Sequence, residues 1–159
     1  MKKGKKWRTQ VTGAAGELLV QYQLLKHEID SARLTTDSGI DLVMYVPGTR
    51  EAITVQVKAM QKPYTDPRTR LEWGYPLNCK ADWLAVVDVS RDLVWLFPVE
   101  EAIGFSGGTA DGLTYLSWYV GDKGGRKYGI ESDFEQYRLD NVVGRIIADA
   151  ESADAESDS

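Results

Sequence analysis

The chain has 159 residues, 43% of them hydrophobic, which is enough for one domain with a single packed core. Cys79 is its only cysteine and His27 its only histidine, so a disulfide framework, a Cys/His zinc cluster and cysteine or histidine-triad catalysis are excluded. The net charge is −5, with an acidic body between a basic start and an acidic end. An acidic body counts against broad electrostatic binding of nucleic acid, so any such contact is expected to be local.

The ends of the chain differ from its body. Residues 1–11 form a basic arm, and a single domain is predicted over residues 12–148. Residues 149–159 contain no apolar side chain larger than alanine and are predicted to be a disordered acidic tail. No apolar run approaches the roughly 20 residues needed to cross a bilayer, and no apolar signal region follows the basic start. We therefore expect a soluble, cytoplasmic protein with no membrane contact.

The first half predicts a helix followed by a hairpin. Apolar residues recur at helical spacing over residues 14–28, and a short strand is expected at 32–35. Residues 40–46 and 51–58 are strand-like runs. They are joined by Pro47-Gly-Thr-Arg50, a turn sequence, and so predict a β-hairpin.

The second half predicts a surface loop, a second hairpin and short elements around them. The loop is polar and broken by proline, whereas the hairpin strands are rich in valine, leucine and tryptophan. In chain order the expected elements are a loop at 62–70, strands at 83–89 and 93–99, a helix at 100–103, a strand at 113–120 and a helix at 133–148. The order of elements indicates an α/β or α+β fold with a mixed sheet of about five strands flanked by helices.

The first hairpin concentrates polar side chains on one face. Residues two apart on a strand share a face, so Gln56 and Lys58 point away from the apolar side of their strand. If the turn aligns Val46 with Glu51, Asp41 lies directly across from Gln56, whereas a turn of odd length would separate them. The predicted cluster therefore depends on the turn.

These residue types suit a metal site for phosphodiester hydrolysis. Mg²⁺ and Mn²⁺ take oxygen ligands, which Asp41 and the side-chain carbonyl of Gln56 can supply. The backbone carbonyl of Val57 adds a further ligand, and Glu17 can complete or orient the site from the first helix. A bound metal lowers the pKa of its water, and Lys58 can position that water or stabilise charge on a phosphate.

Three short motifs carry a family resemblance. Gly16-Glu17, Gly39-Ile-Asp41 and Val55-Gln-Val-Lys58 together resemble the PD-(D/E)XK nuclease superfamily, in particular the Gln-x-Lys branch with its group I intron-associated endonucleases. The resemblance implies a restriction-endonuclease-like sheet flanked by helices and divalent-metal cleavage of DNA. It assigns catalytic roles to Glu17, Asp41, Gln56 and Lys58. The chain departs from the pattern in having Ile40 where the superfamily has proline and a neutral Gln56 where most members have an acid.

Two basic segments are candidates for DNA contact. Lys62, Arg68 and Arg70, with Tyr64 and Trp73, mix cations and aromatic rings just after the site strand, which suits phosphate contact and base stacking. A plain solvated loop explains the same residues equally well.

The basic arm is the second segment. Lys5, Lys6 and Arg8 can grip the backbone of a duplex, the alternative being a disordered charged end. The leading hypothesis is thus a Mg²⁺- or Mn²⁺-dependent endonuclease acting on duplex or branched DNA, with a homodimer as a suitable form for cutting two strands. The alternative is a catalytically inactive module of the same fold that binds nucleic acid or a protein partner.

Overall fold

The computed structural model describes residues 2–36, 38–63, 66–121 and 128–158, with side chains from Trp7 onward. A long helix opens the chain, and two sheets with two further helices follow it. The helices are α1 (Lys2–Lys26), α2 (Val99–Phe105) and α3 (Leu139–Ser157). The strands are β1 (Asp30–Arg33), β2 (Leu42–Tyr45), β3 (Ala52–Met60), β4 (Arg70–Pro76), β5 (Trp83–Asp88), β6 (Leu93–Pro98), β7 (Gly107–Ala110) and β8 (Leu113–Tyr119). Short 3₁₀ helices occupy Val89–Arg91 and Glu131–Tyr137.

A five-stranded mixed sheet forms the centre of the fold. Its strand order is β1-β2-β3-β5-β6, in which only β3 and β5 run parallel. This confirms the predicted α/β (α+β) fold with a mixed sheet flanked by helices. A second sheet, with the order β4-β8-β7, was not predicted from the sequence.

Each face of the central sheet carries its own core. On one face α1 and α3 pack against alternate residues of the strands, among them Val55 and Val57. On the other face the three-stranded sheet encloses an aromatic core, in which Trp73, Trp95 and Trp118 have ring centroids 4.8 to 5.9 Å apart. The central sheet is therefore covered on both sides, as a parallel pair of strands generally requires.

Both ends of the chain are helical, which corrects the boundaries expected from the sequence. α1 begins at Lys2 rather than at residue 14 and so includes the basic arm. α3 continues through the tail that was expected to be disordered, because alanine and glutamate favour a helix even without large apolar side chains. The tail is also held in place: Ala150 is buried, and Asp154 accepts the Arg50 backbone N–H at 2.8 Å.

The other differences concern the second half. The helix expected at 133–148 is divided into a 3₁₀ helix and α3, which begins only at Leu139. Arg70, placed by the sequence in a loop, begins β4. Within the described residues, no helix combines the length and the apolar character needed to span a bilayer.

Gly16 lets α1 approach the centre of the sheet. A Cβ at this position would overlap the Cβ of Ala59 on β3, whereas a Cβ at Gly13 would meet nothing within 4 Å. We expect Gly16→Ala to lower the free energy of unfolding by about 1–2 kcal/mol, because overpacking outweighs the gain in helix propensity.

Gly13→Ala is the matched control on the same helix. It is expected to raise the free energy of unfolding by about 0.5–1 kcal/mol, since only helix propensity changes. Urea denaturation of the two variants measures the difference. Equal effects of the two substitutions would contradict the close packing at Gly16.

Candidate active site

The first hairpin positions Asp41. Leu42 lies opposite Val55 and Val43 opposite Thr54, which is the register predicted from the turn. Because β2 pairs with β3 only as far as Leu42, the N–H of Val57 lies beyond the ladder on this side. The Asp41 carboxylate occupies that place, with Oδ2 accepting the Val57 N–H at 2.7 Å. This bond, with a second one from the Asp41 N–H to the Val55 carbonyl at 2.9 Å, fixes the acid against the middle of β3.

Gln56 and Lys58 project from the opposite side of β3 to the α1 core. They pair in register with Leu84 and Val86 of β5, whose side chains belong to the aromatic core. Gln56 is only 5% exposed, and Lys58 is half-buried. The two side chains thus lie at the boundary between the central sheet and the three-stranded sheet.

Cys79 is a neighbour of the site that sequence reasoning missed. Its thiol donates to Gln56 Oε1 at 3.0 Å. Burial raises the pKa of Cys79, and the charges of Lys58 and Asp41 act on the same sulfur in opposite directions. A raised pKa keeps the thiol protonated, which is the form that can donate to an amide oxygen. Cys79 is therefore hydrogen-bonded to Gln56, and the charges of Lys58 and Asp41 both act on its sulfur.

A small cavity of about 90 Å³ opens beside Gln56 and Cys79. Its wall is shared between the loop before Asp41 and the turn after β4. The lining residues are Ser38, Gly39, Gln56, Pro76, Asn78, Cys79 and Lys80. The Gln56 amide, although buried, is therefore next to a space that opens towards the loop carrying Asp41.

Glu17 has a different partner from the one expected. Its carboxylate forms an ion pair with Arg33 of β1, with Nη2 at 2.8 Å and Nε at 3.0 Å from Oε2. Arg33 pairs across the strands with Leu42, the residue after Asp41. Glu17 therefore contacts β1, whereas Asp41 immediately precedes the neighbouring strand β2. Among the described contacts, the Glu17 carboxylate is bonded to Arg33.

The oxygen atoms of Asp41, Gln56 and Val57 are of the chemical type that a small divalent cation takes as ligands. Asp41 offers a carboxylate already oriented by the Val57 N–H, and Gln56 offers an amide oxygen. The N–H and C=O of a strand residue point towards the same neighbouring strand, so the Val57 carbonyl is directed to the Asp41 side as well. Within the described residues no group of three or more Asp, Glu, His or Cys side chains could hold a metal. One carboxylate with carbonyl oxygens and water is nevertheless a usual donor set for Mg²⁺.

The predicted DNA-contact residues after β3 are mostly engaged within the chain. Lys62 Nζ donates to the Arg70 carbonyl at 3.1 Å. Arg70 lies 3.2 Å from Glu72 and above the ring of Tyr128, whereas Arg68 is exposed, with Asp66 at 3.8 Å. These cations lie at one end of the three-stranded sheet.

The aromatic part of that prediction is corrected. Trp73 is 2% exposed and belongs to the aromatic core, because it alternates with Leu71 and Tyr75 on the inner face of β4. It is therefore unavailable for base stacking. Tyr64 lies outside the described residues.

In the basic arm, Arg8 approaches the end of the site strand. It lines a cavity of about 280 Å³ together with Thr12 of α1 and Ala59 and Met60 of β3. Lys58 immediately precedes this stretch of β3. The side chains of Lys5 and Lys6 lie outside the described part of the chain.

Two solved structures have a fold similar to that of this chain. By sequence, the chain matches no protein-family profile and no curated protein. Its structure is similar to that of a bacterial homing endonuclease, I-Ssp6803I, with a TM-score of 0.64 and 21% identity over 94% of this chain and 97% of that one. It is also similar to Hjc, a Holliday junction resolvase from the archaeal hyperthermophile Archaeoglobus fulgidus, with a TM-score of 0.50 and 14% identity over 83% and 95% of the two chains. The chain therefore has a nuclease-like fold.

Proposed function

We propose that this protein is a Mg²⁺- or Mn²⁺-dependent endonuclease that hydrolyses DNA phosphodiester bonds. The observation that carries the proposal is the position of Asp41, held by the Val57 N–H directly beside the strand that bears Gln56 and Lys58. The likeness to a homing endonuclease and a junction resolvase supports DNA as the substrate class.

Each residue has a chemical part in this proposal. Asp41, Gln56 Oε1 and the Val57 carbonyl would hold the cation, which when bound supplies an activated water at neutral pH. Lys58 lies two residues after Gln56 on β3, so both side chains project from the same face of that strand. Its ammonium group can therefore hold the attacking water in place or stabilise the charge that develops on the phosphate.

In this proposal Glu17 helps to position Asp41. Its ion pair with Arg33 joins α1 to β1. Arg33 pairs with Leu42 at the start of β2, and Asp41 immediately precedes that strand. The basic side chains of Arg8, Arg68 and Arg70, with Lys62, supply local positive charge on an otherwise acidic body. A negatively charged DNA backbone is thus attracted locally, at the surface where these cations lie.

The test is cleavage of supercoiled plasmid and of a four-way-junction oligonucleotide with Mg²⁺, with Mn²⁺ or with EDTA. We expect cutting with either metal, none with EDTA, and at least about a 100-fold slower rate for Asp41→Asn, which removes charge but keeps an oxygen for the Val57 N–H. Asp111→Asn, at the exposed β7–β8 turn, is the matched control and should cut like the parent. Equal activity of Asp41→Asn and the parent would refute the assignment.

A second candidate function is a binding module that no longer cuts. It is favoured by the neutral Gln56, whose amide oxygen is already bonded to a thiol, and by the lack of an acidic cluster among the described residues. Calorimetry distinguishes the two: Mn²⁺ binding that disappears in Asp41→Asn supports the nuclease. DNA binding without metal binding or cleavage supports the module.

A further inference from the structure

The outer face of α1 carries a continuous apolar stripe. Trp7, Val11, Leu18, Tyr22 and Leu25 are between 46% and 67% exposed. At 100° per residue they fall within an arc of about 60°, directly opposite the buried face. We call these five residues the α1 stripe.

The inner face of the same helix is used by the fold. Gly16, Val20 and Leu24 are buried against the central sheet, so α1 is apolar on two opposite sides. A helix that only covers a sheet has a polar outer face. The fold of a single chain therefore does not bury the α1 stripe, and the stripe marks an interaction surface.

The size of the α1 stripe suits a specific interface. It extends about 27 Å along the helix from Trp7 to Leu25. With about half of each large side chain exposed, pairing two such stripes removes on the order of 1,000 Å² from water. That area is at the lower limit for a specific protein interface, and contacts beside the helices would add to it.

We infer that the α1 stripe binds the same stripe on a second copy of this chain, with the two helices antiparallel about a twofold axis at Leu18. The spacing is self-complementary, because Val11 and Leu25 are each seven residues from Leu18 and so meet each other across the axis. Tyr22 then falls opposite Ala14, so that a large ring faces a small side chain. A twofold interface requires this kind of self-matching surface.

Charge selects the antiparallel arrangement. Arg8 is exposed near the start of α1, and Glu28 is exposed just after its end. Antiparallel helices bring Arg8 of one copy towards Glu28 of the other. Parallel helices would instead set the two basic arms, each with Lys2, Lys3, Lys5, Lys6 and Arg8, against each other. Like charges at that density disfavour the parallel pair.

The first test measures mass in solution. Light scattering or sedimentation of the parent is expected to give about twice the chain mass of 17.7 kDa, and Leu18→Glu is expected to give the mass of one chain. Leu77→Glu, at an exposed leucine outside the α1 stripe, is the matched control and should remain a dimer. A monomeric parent, or a dimeric Leu18→Glu, overturns the inference. Because mass is measured without DNA or metal, failure here does not bear on hydrolysis.

The second test fixes the geometry by cysteine cross-linking in a Cys79→Ser background. Only a residue on the twofold axis meets its own copy, so Leu18→Cys is expected to form a disulfide-linked dimer under mild oxidation. Leu25→Cys alone should not cross-link, but should do so when mixed with Val11→Cys. Self-cross-linking of Leu25→Cys, or none in the mixture, would overturn the antiparallel pairing.

Discussion

Lys58→Met is expected to slow metal-dependent DNA cleavage by about 100-fold to 1,000-fold while leaving the fold intact. Methionine keeps most of the length and apolar stem of lysine but removes the ammonium group. The half-buried stem of Lys58 can remain in place between β3 and the three-stranded sheet, so the loss should be of charge alone. Single-turnover cleavage at saturating DNA measures the rate, and circular dichroism checks the fold.

Arg50→Met is the matched control for that experiment. Arg50 lies in the turn at the other end of the same hairpin, is exposed, and forms an ion pair with Asp158 at 3.3 Å. Losing an exposed pair costs at most about 1 kcal/mol of stability and should leave cleavage unchanged. If Lys58→Met and Arg50→Met cut at the same rate, Lys58 has no part in the chemistry.

Trp118→Ala is expected to lower the free energy of unfolding by about 3–5 kcal/mol. Trp118 is fully buried, and its ring contacts Trp73, Trp95 and Phe134 at centroid distances of 4.8, 5.0 and 4.6 Å. Trp95 belongs to the central sheet and Trp118 to the three-stranded sheet, so the deleted ring leaves a cavity between the two sheets.

Urea denaturation at one fixed protein concentration measures this effect, because association would otherwise change the apparent stability. Ile103→Ala, at an exposed position of α2, is the control and should change stability by less than about 0.5 kcal/mol. A loss below about 1 kcal/mol for Trp118→Ala would mean that the aromatic core contributes little to holding the sheets together.

The first hairpin could be predicted because its signals are local. Alternation gives the faces of β3, and the Pro47-Gly48 turn gives the register, so the residue pattern alone was enough to predict the pairing of Leu42 with Val55 and of Val43 with Thr54. The bond from Val57 to the Asp41 carboxylate could not be read in this way. It arises where β2 stops pairing, and the end of a ladder is set by the path of the chain rather than by the residues of the hairpin.

The three-stranded sheet was missed for identifiable reasons. Leu71, Trp73 and Tyr75 do alternate along β4, but Gly74 and Pro76 are unfavourable in strands and weaken the signal. Gly74 is needed because the ring of Tyr115, a residue distant in sequence, lies over it. The need for glycine at position 74 can be recognised only once the partner strand β8 is known.

Long-range pairing also explains what was missed at the site itself. Cys79 reaches Gln56 across 23 residues because β4 leads the chain back past β3. Glu17 meets Arg33 rather than Asp41 because β1 lies beside β2 at the edge of the sheet. In both cases the residue type suggested its chemistry, but the topology decided its partner.

Through its bond to the Val57 N–H, the Asp41 side chain has a structural role in addition to the chemical role that the proposed function gives it. The carboxylate closes the end of a hairpin, and in the proposed function it also binds the metal. Stability alone is thus a reason to retain an acceptor at position 41, whereas the ammonium group of Lys58 has only the chemical role that the proposed function gives it. In descendants of this chain released from selection for cleavage, we expect the lysine to be lost first and the aspartate to persist.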